Sequence, residues 1–237
     1  MTVAGRSGRI IFRQNDSRPL QRKNHSATKS FCLNMLMFGL VFQVGAAENE
    51  AELLKDLEKS FSSIKTVQTK FRQEKELKIF SRTIVMEGRV VLENPDRLAW
   101  RIDTPIKYVL VLNGDYATQW DEDSNKIQKM KTHGDPVFEE VIGQIEKWFS
   151  GEFSSLLKEY DLTVKSEQPP VLEFVPKKDG MISKVIKRVT ITVRKDRRYV
   201  ERIAIEDMGG DKTTITFYDT VLNAPVAAKE WEVVPDA

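Results

Sequence analysis

Few side chains in this sequence are of the kind that do covalent or metal chemistry, and their spacing works against it. His25 and His133 are the two histidines and Cys32 the single cysteine of 237 residues. A histidine metal cluster or a Ser-His-Asp relay therefore has no second member to recruit beside His133, and one thiolate builds neither a zinc site nor a disulfide framework. His133 reads as a polar loop residue before Asp135. Asp121, Asp123 and Asn125 begin like a calcium loop, but Lys126 stands where the turn needs Gly and Thr132 where the closing Glu belongs. That run reads as a solvated turn. Glu139 and Glu140 are neighbours, which on a helix point in different directions and make a charged first turn rather than an acid–base pair. No G-x-S-x-G elbow or Gly-rich phosphate loop occurs. The expectation is no catalytic residue, no metal and no cofactor, and a binding or carrier protein rather than an enzyme.

The charge distribution narrows the class further. Of 37 basic and 35 acidic residues, seven bases and one acid fall in residues 1–47, leaving 30 bases against 34 acids beyond them. The basic character thus belongs to the front of the chain, and a nucleic-acid reading loses its electrostatic footprint. That front has a basic start, an apolar stretch from Phe31 to Val44, and small residues at Gly45, Ala46 and Ala47 before acidic Glu48-Asn49-Glu50. This is the pattern of a secretory signal peptide cut near Ala46 or Ala47. Asn34, Gly39 and Gln43 interrupt the stretch, which falls short of the roughly 20 apolar residues a spanning helix needs. Residues 1–47 are expected to be a signal peptide and 48–237 a single soluble, monomeric, periplasmic domain. The glycosylation triplet Asn24-His25-Ser26 falls in that leader and is set aside.

Those residues must be held by elements that the periodicity identifies. Leu53, Leu54, Leu57, Phe61 and Ile64 recur at helical spacing over 50–64. From Thr66 the period changes to two, through Val67–Phe71, Ile84–Leu92, Leu98–Ile102, Tyr108–Leu112, Ala117–Asp121 and Ile127–Lys131, with Asn113-Gly114 as a tight hairpin turn. Asp135-Pro136 opens a helix whose apolar stripe is Val137, Val141, Ile145, Trp148 and Phe149, and Gly151 ends it. Phe153, Leu156, Leu157 and Tyr160 read as a second short helix. Alternation returns in Val171–Val175, Ile186–Val193, Tyr199–Ile205, Thr213–Tyr218 and Trp231–Val234. The order is a helix, about six strands, two helices and about five strands. It predicts a mainly β (α+β) protein: one large antiparallel sheet of about eleven strands with helices gathered on one side.

Alternation commits one face of such a sheet to burial, and its bulky residues include Phe71, Leu98, Trp100, Ile102, Trp120, Ile191, Ile203 and Phe217. Two readings of that face stay open. It is either an ordinary core filled by the helices, or, because three short helices cannot fill a strongly curved sheet, partly an apolar cavity for an acyl chain.

Taken in order, a helix, then VQTKFRQE, EGRVVLENPDRLAWRIDTP, VLVLNGDYATQWDED and the late strands VTITV and YVERIAIEDMGGDKTTITFYD resemble the periplasmic outer-membrane lipoprotein carrier family, LolA and its relatives. The resemblance covers Glu48 to Pro235. It is most specific at Phe71-Arg72-Gln73, Asn94-Pro95 with Leu98-Ala99-Trp100, and Asn113-Gly114 with Trp120. It implies an unclosed antiparallel β-barrel with helices as a lid over an apolar cavity. That cavity would take the acyl chains of a lipoprotein from an inner-membrane exporter and give them to an outer-membrane acceptor. Phe71, Leu98, Trp100, Ile102, Trp120, Ile145, Trp148 and Phe149 would line it. Asn94 would act as the lid switch, at the position where the best-known members carry an Arg that hydrogen-bonds to the lid. EKWFSGEFSSLLKEY resembles a divergent branch. A carrier or sensor of another acylated molecule, such as a glycolipid, and a regulatory lipoprotein-sensing protein are the alternatives.

Overall fold

The period-two segments pair into one sheet. A computed structural model of the protein describes residues 41–79, 82–132, 143, 146–178, 180 and 182–234. The chain divides into two units, residues 1–45 and 46–237. Of the first, only 41–45 are described, as helical backbone. The expectations for the rest of the leader, for His133, Asp135, Pro136, Glu139 and Glu140, and for Val137, Val141 and Ile145 fall outside the described residues.

Helix α1 (Val41–Ser62) precedes strands β1 (Thr66–Glu76), β2 (Thr83–Glu93), β3 (Arg97–Thr104), β4 (Tyr108–Asn113), β5 (Tyr116–Asp121) and β6 (Lys126–Lys131). A helical stretch at 146–150, here α2, and the single turn α3 (Phe153–Leu156) follow. Then come β7 (Tyr160–Glu167), β8 (Pro170–Pro176), β9 (Ile186–Val193), β10 (Val200–Asp207) and β11 (Lys212–Leu222). All eleven strands form one sheet in the order β6-β5-β4-β3-β2-β1-β11-β10-β9-β8-β7, antiparallel throughout. β6 and β7 are its two ends, so the sheet is unclosed. Both are protected as exposed edges must be. β6 carries Lys126, Lys129 and Lys131, and the edge N–H of Val164 in β7 donates to Glu50 of α1 at 3.3 Å.

The count of eleven strands agrees with expectation through two compensating differences. Tyr160 opens β7 instead of closing a helix, because Tyr160, Leu162 and Val164 alternate with exposed or half-buried polar residues. Trp231–Val234 is not a strand. Its start belongs to a single 3-10 turn (Ala228–Trp231), and the extended residues after it cross the outer face of the sheet. There Val226, Trp231 and Val233 pack on Val91, Ala99, Val109, Val111 and Trp120. Arg101 fastens this strap, donating to the carbonyl oxygens of Glu230 at 3.0 Å and Glu232 at 2.7 Å.

The main core lies on the opposite, inner face. Leu53, Leu54, Leu57 and Phe61 of α1 pack there with Phe153 and Leu156 of α3 and with strand residues from β1 through β5 and β7 through β11.

Candidate functional site

Phe71 is the floor of the inner face. It pairs across the sheet with Gly88 of β2 and Phe217 of β11, and is fully buried. Its ring centroid lies 4.5 Å from that of Trp100, a contact worth more than its area alone. Gly88 allows this arrangement. The β2–β3 register slips between Glu87 and Gly88, and a Cβ at Gly88 would collide with the carbonyl of Arg101. Bulges of this kind increase local twist, which turns the sheet around its inner contents.

The inner face has two unlike halves. Under α1 and α3, Leu172, Phe174, Val189, Ile191 and Ile203 are buried to 2% exposure or less, with Phe153 edge-on to Phe61 at 5.5 Å. On the β2–β6 side, Trp100, Ile102, Leu110 and Met130 flank the same cluster but stay half-buried. A polar line follows them. Tyr108 Oη donates to Gln119 Oε1 at 3.1 Å, and Gln119 Nε2 donates to Gln128 Oε1 at 3.0 Å. Burial first, then the nearby Asp121 carboxylate, pushes the Tyr108 hydroxyl above its ordinary pKa, so it stays a neutral donor. The result is a half-buried apolar stretch, called the trough below, with a hydrogen-bonding margin. The first half is an ordinary core, and the acyl-chain reading concerns the second.

The expected lining residues distribute as follows. Phe71 and Leu98 are buried in the main core, and Trp100 and Ile102 stand half-open beside it. Trp148 is buried in the core, and Phe149 is half-buried with its ring 5.2 Å from Phe217. Ile145 lies outside the described residues. Trp120 is the correction. It pairs with Val109, shares that residue's outward parity, and sits under the strap with its Nε1 donating to Asn125 at 3.1 Å. Both faces of β4 and β5 bury apolar residues, so hydrophobicity alone does not separate them. For the same reason the inward residues Leu110 and Met130 are not singled out by the sequence. The parity of Tyr108, Leu110 and Leu112 is the signal that could have found Leu110.

Asn94 occupies the β2–β3 turn. Its Nδ2 donates to the carbonyl of Ile64 at 2.8 Å, and its backbone N–H donates to the carbonyl of Lys65 at 2.9 Å, so it grips the α1–β1 junction. Asn94 and Pro95 also line two cavities. One of about 210 Å³ is shared with Leu98, Glu146, Phe149 and Glu152, and one of about 450 Å³ with Phe61, Gly151 and Ser155. Gly151 is at φ +78, and any side chain there would strike Phe61. Among the described residues no group of His, Cys, Asp and Glu could hold a metal ion, and no helix is long and apolar enough to cross a membrane.

The described residues thus form an unclosed antiparallel sheet packed on helices, with half-buried apolar side chains along one half of its inner face. The sequence profile described as "Outer membrane lipoprotein carrier protein LolA" matches residues 62–233, and the chain belongs to that family. An outer-membrane lipoprotein carrier protein of Coxiella burnetii (strain CbuK_Q154) is 20% identical over 207 residues, 86% of this chain and 91% of the relative, so this is a divergent member. Similar solved structures include the LolA superfamily protein NE2245 of Nitrosomonas europaea, with TM-score 0.40, 10% identity, and 76% of this chain and 97% of that one covered. An uncharacterized conserved protein of Thermus thermophilus has TM-score 0.49 and 10% identity, covering 79% of this chain and 94% of its own.

Proposed function

We propose that the protein is a periplasmic carrier that holds the acyl chains of a lipoprotein in the trough beside Phe71 and moves them from an inner-membrane exporter to an outer-membrane acceptor. The half-open apolar stretch Trp100, Ile102, Leu110 and Met130 carries this reading. Each methylene moved from water into such a surface gains ~0.8 kcal/mol, so a long chain is held firmly without any directional bond. Family membership supports the cargo class. In this reading residues 1–47 are a signal peptide removed on export, 48–237 are the working domain, and Trp100, Ile102 and Phe149 face the chain, with Phe71 enclosed beside them. Release then requires contacts to be replaced by an equally apolar acceptor, not broken in water.

The polar margin Tyr108, Gln119 and Gln128 favours a second reading, in which the cargo is another acylated molecule with a hydrogen-bonding head, such as a glycolipid. Native mass spectrometry of protein purified from the periplasm tests both. A co-purified lipopeptide or lipoprotein supports the first reading and a glycolipid the second. A protein that carries no acylated molecule and binds no fluorescent fatty-acid probe overturns both.

A further inference from the structure

The end of the sheet far from Asn94 carries a second feature, independent of the trough. β2 takes eleven residues from Thr83 to Glu93, and at ~3.3 Å per residue its two ends stand about 35 Å apart. At the Thr83 end, where the β1–β2 and β10–β11 connections meet, a cavity of about 370 Å³ is lined by Lys78, Arg82 and Lys212 with Glu76, Leu77 and Gly210. Three bases thus face one acid. Lys212 stands across from Glu206 and its charge acts on that carboxylate.

The neighbouring acids hold the connections in place. Asp211 Oδ1 accepts the backbone N–H of Lys78 at 2.9 Å, and Asp207 Oδ1 accepts that of Asp211 at 2.9 Å. Glu206 pairs with Lys187 at 2.7 Å and Arg188 at 2.9 Å. These bonds fix the two connections against each other, and Lys78, Arg82 and Lys212 stay exposed. The same two connections carry two exposed apolar side chains, Ile79 at 88% exposure and Met208 at 59%.

Exposed bases around a recess, with exposed apolar side chains in the same connections, match the surface of an anionic bilayer, where phosphates meet the bases and the apolar side chains enter the headgroup layer. We propose that this end of the molecule docks on membranes through anionic phospholipid headgroups, with Lys78, Arg82 and Lys212 at the lipid phosphates and Ile79 and Met208 in the interface. A soluble phosphate shares the charge chemistry, but it gives the two apolar tips nothing to enter. Three bases and two tips make a weak, reversible contact, which suits a molecule that must leave again.

The test is flotation of the expressed chain with vesicles of equal parts phosphatidylglycerol and phosphatidylethanolamine, and with vesicles of phosphatidylcholine alone. Wild type and variants are run side by side, so any contribution of residues 1–47 is common to all. The expected result is binding to the anionic vesicles that salt weakens. Lys78→Gln, Arg82→Gln and Lys212→Gln should each lower it about fivefold. Ile79→Ser should lower it while leaving the salt dependence unchanged. Equal binding to both vesicle types, a triple Gln variant that binds as wild type, or saturation of the recess by inorganic phosphate with no vesicle binding each overturn the proposal. All these positions are exposed, and circular dichroism with fatty-acid probe binding confirms that the variants fold. Loss of probe binding with vesicle binding intact would remove the carrier reading and leave this one standing.

Discussion

The side-chain amide of Asn94 donates to the carbonyl oxygen of Ile64 at 2.8 Å and so ties the β2–β3 turn to the junction between α1 and β1. That bond involves a neutral donor and a backbone acceptor, worth about 1 kcal/mol. Asn94→Ala, and equally Asn94→Asp, which has no N–H to give, should lower stability by about that amount in urea unfolding. Asn94→Arg has a different expected outcome. The cavity beside Asn94 is also lined by Glu146 and Glu152, and a guanidinium reaching into it would tether them to the turn. Stopped-flow uptake and release of a fatty-acid probe should slow in Asn94→Arg and stay near wild type in Asn94→Ala. Equal rates in both would make Asn94 a turn residue only.

Ten of the eleven strands, in their order along the chain, and the antiparallel sheet were legible because apolar residues recur at period two or run continuously between turn residues such as Asn113-Gly114, where Gly114 takes φ 56. The inner and outer faces were legible only where one of them is polar. On β1, exposed Lys70 and Arg72 mark the outer side and place Phe71 inward. On β4 and β5 the strap buries the outer face too, so Trp120 and Val109 carried the same signal as Leu110. The strap itself was hidden. Val226, Trp231 and Val233 show their role only against the strands they cover, and Arg101 has the sequence character of a surface residue although its two carbonyl partners lie some 130 positions away.

Phe71 and Trp100 touch, yet they should respond differently to truncation. Phe71 is fully enclosed, so Phe71→Ala should cost about 3–5 kcal/mol of stability. Trp100 is half-buried, so Trp100→Ala should cost less while weakening fatty-acid probe binding at least tenfold, about 1.4 kcal/mol. Urea unfolding and probe titration on the two variants separate the roles. Trp100→Asp that folds and binds the probe as wild type would remove Trp100 from the trough wall.

Arg101 is the fastening of the outer strap. Its guanidinium serves two backbone oxygens, and its Nε lies 3.7 Å from the Glu230 carboxylate. Arg101→Met keeps the apolar stem and removes every donor, leaving the carbonyls of Glu230 and Glu232 without them. The strap should then open before the sheet does. Limited proteolysis is expected to cut within 224–234 in the variant and not in wild type, with a red shift in Trp231 emission as it loses its place under Arg97, now 4.7 Å from its ring. Global unfolding at the same protease exposure would mean the strap and the sheet are one cooperative unit.

Two carboxylates on the outer face of β8–β10 are expected to contribute to the acid limit. Glu173 accepts from Lys165 at 2.9 Å and pairs with Arg188 at 3.4 Å, while Glu206 is held by Lys187 and by the same Arg188. The Lys165 hydrogen bond first, and then the charges of Lys165 and Arg188, holds the Glu173 carboxyl below its ordinary value of 4.5. The Lys187 hydrogen bond, with the Arg188 charge behind it, does the same for Glu206. A carboxylate depressed in the folded state stabilises it fully above the unfolded value. As pH falls from about 4.5 toward the folded value, the unfolded chain takes up protons first, and that stabilisation is lost. The urea midpoint should therefore hold from pH 7 to about 5 and decline below about 4.5. Glu173→Gln with Glu206→Gln should start lower at neutral pH and decline less on acidification, and added salt should narrow the gap between the two proteins. Parallel acid limbs in wild type and double variant would show that these two carboxylates do not set it.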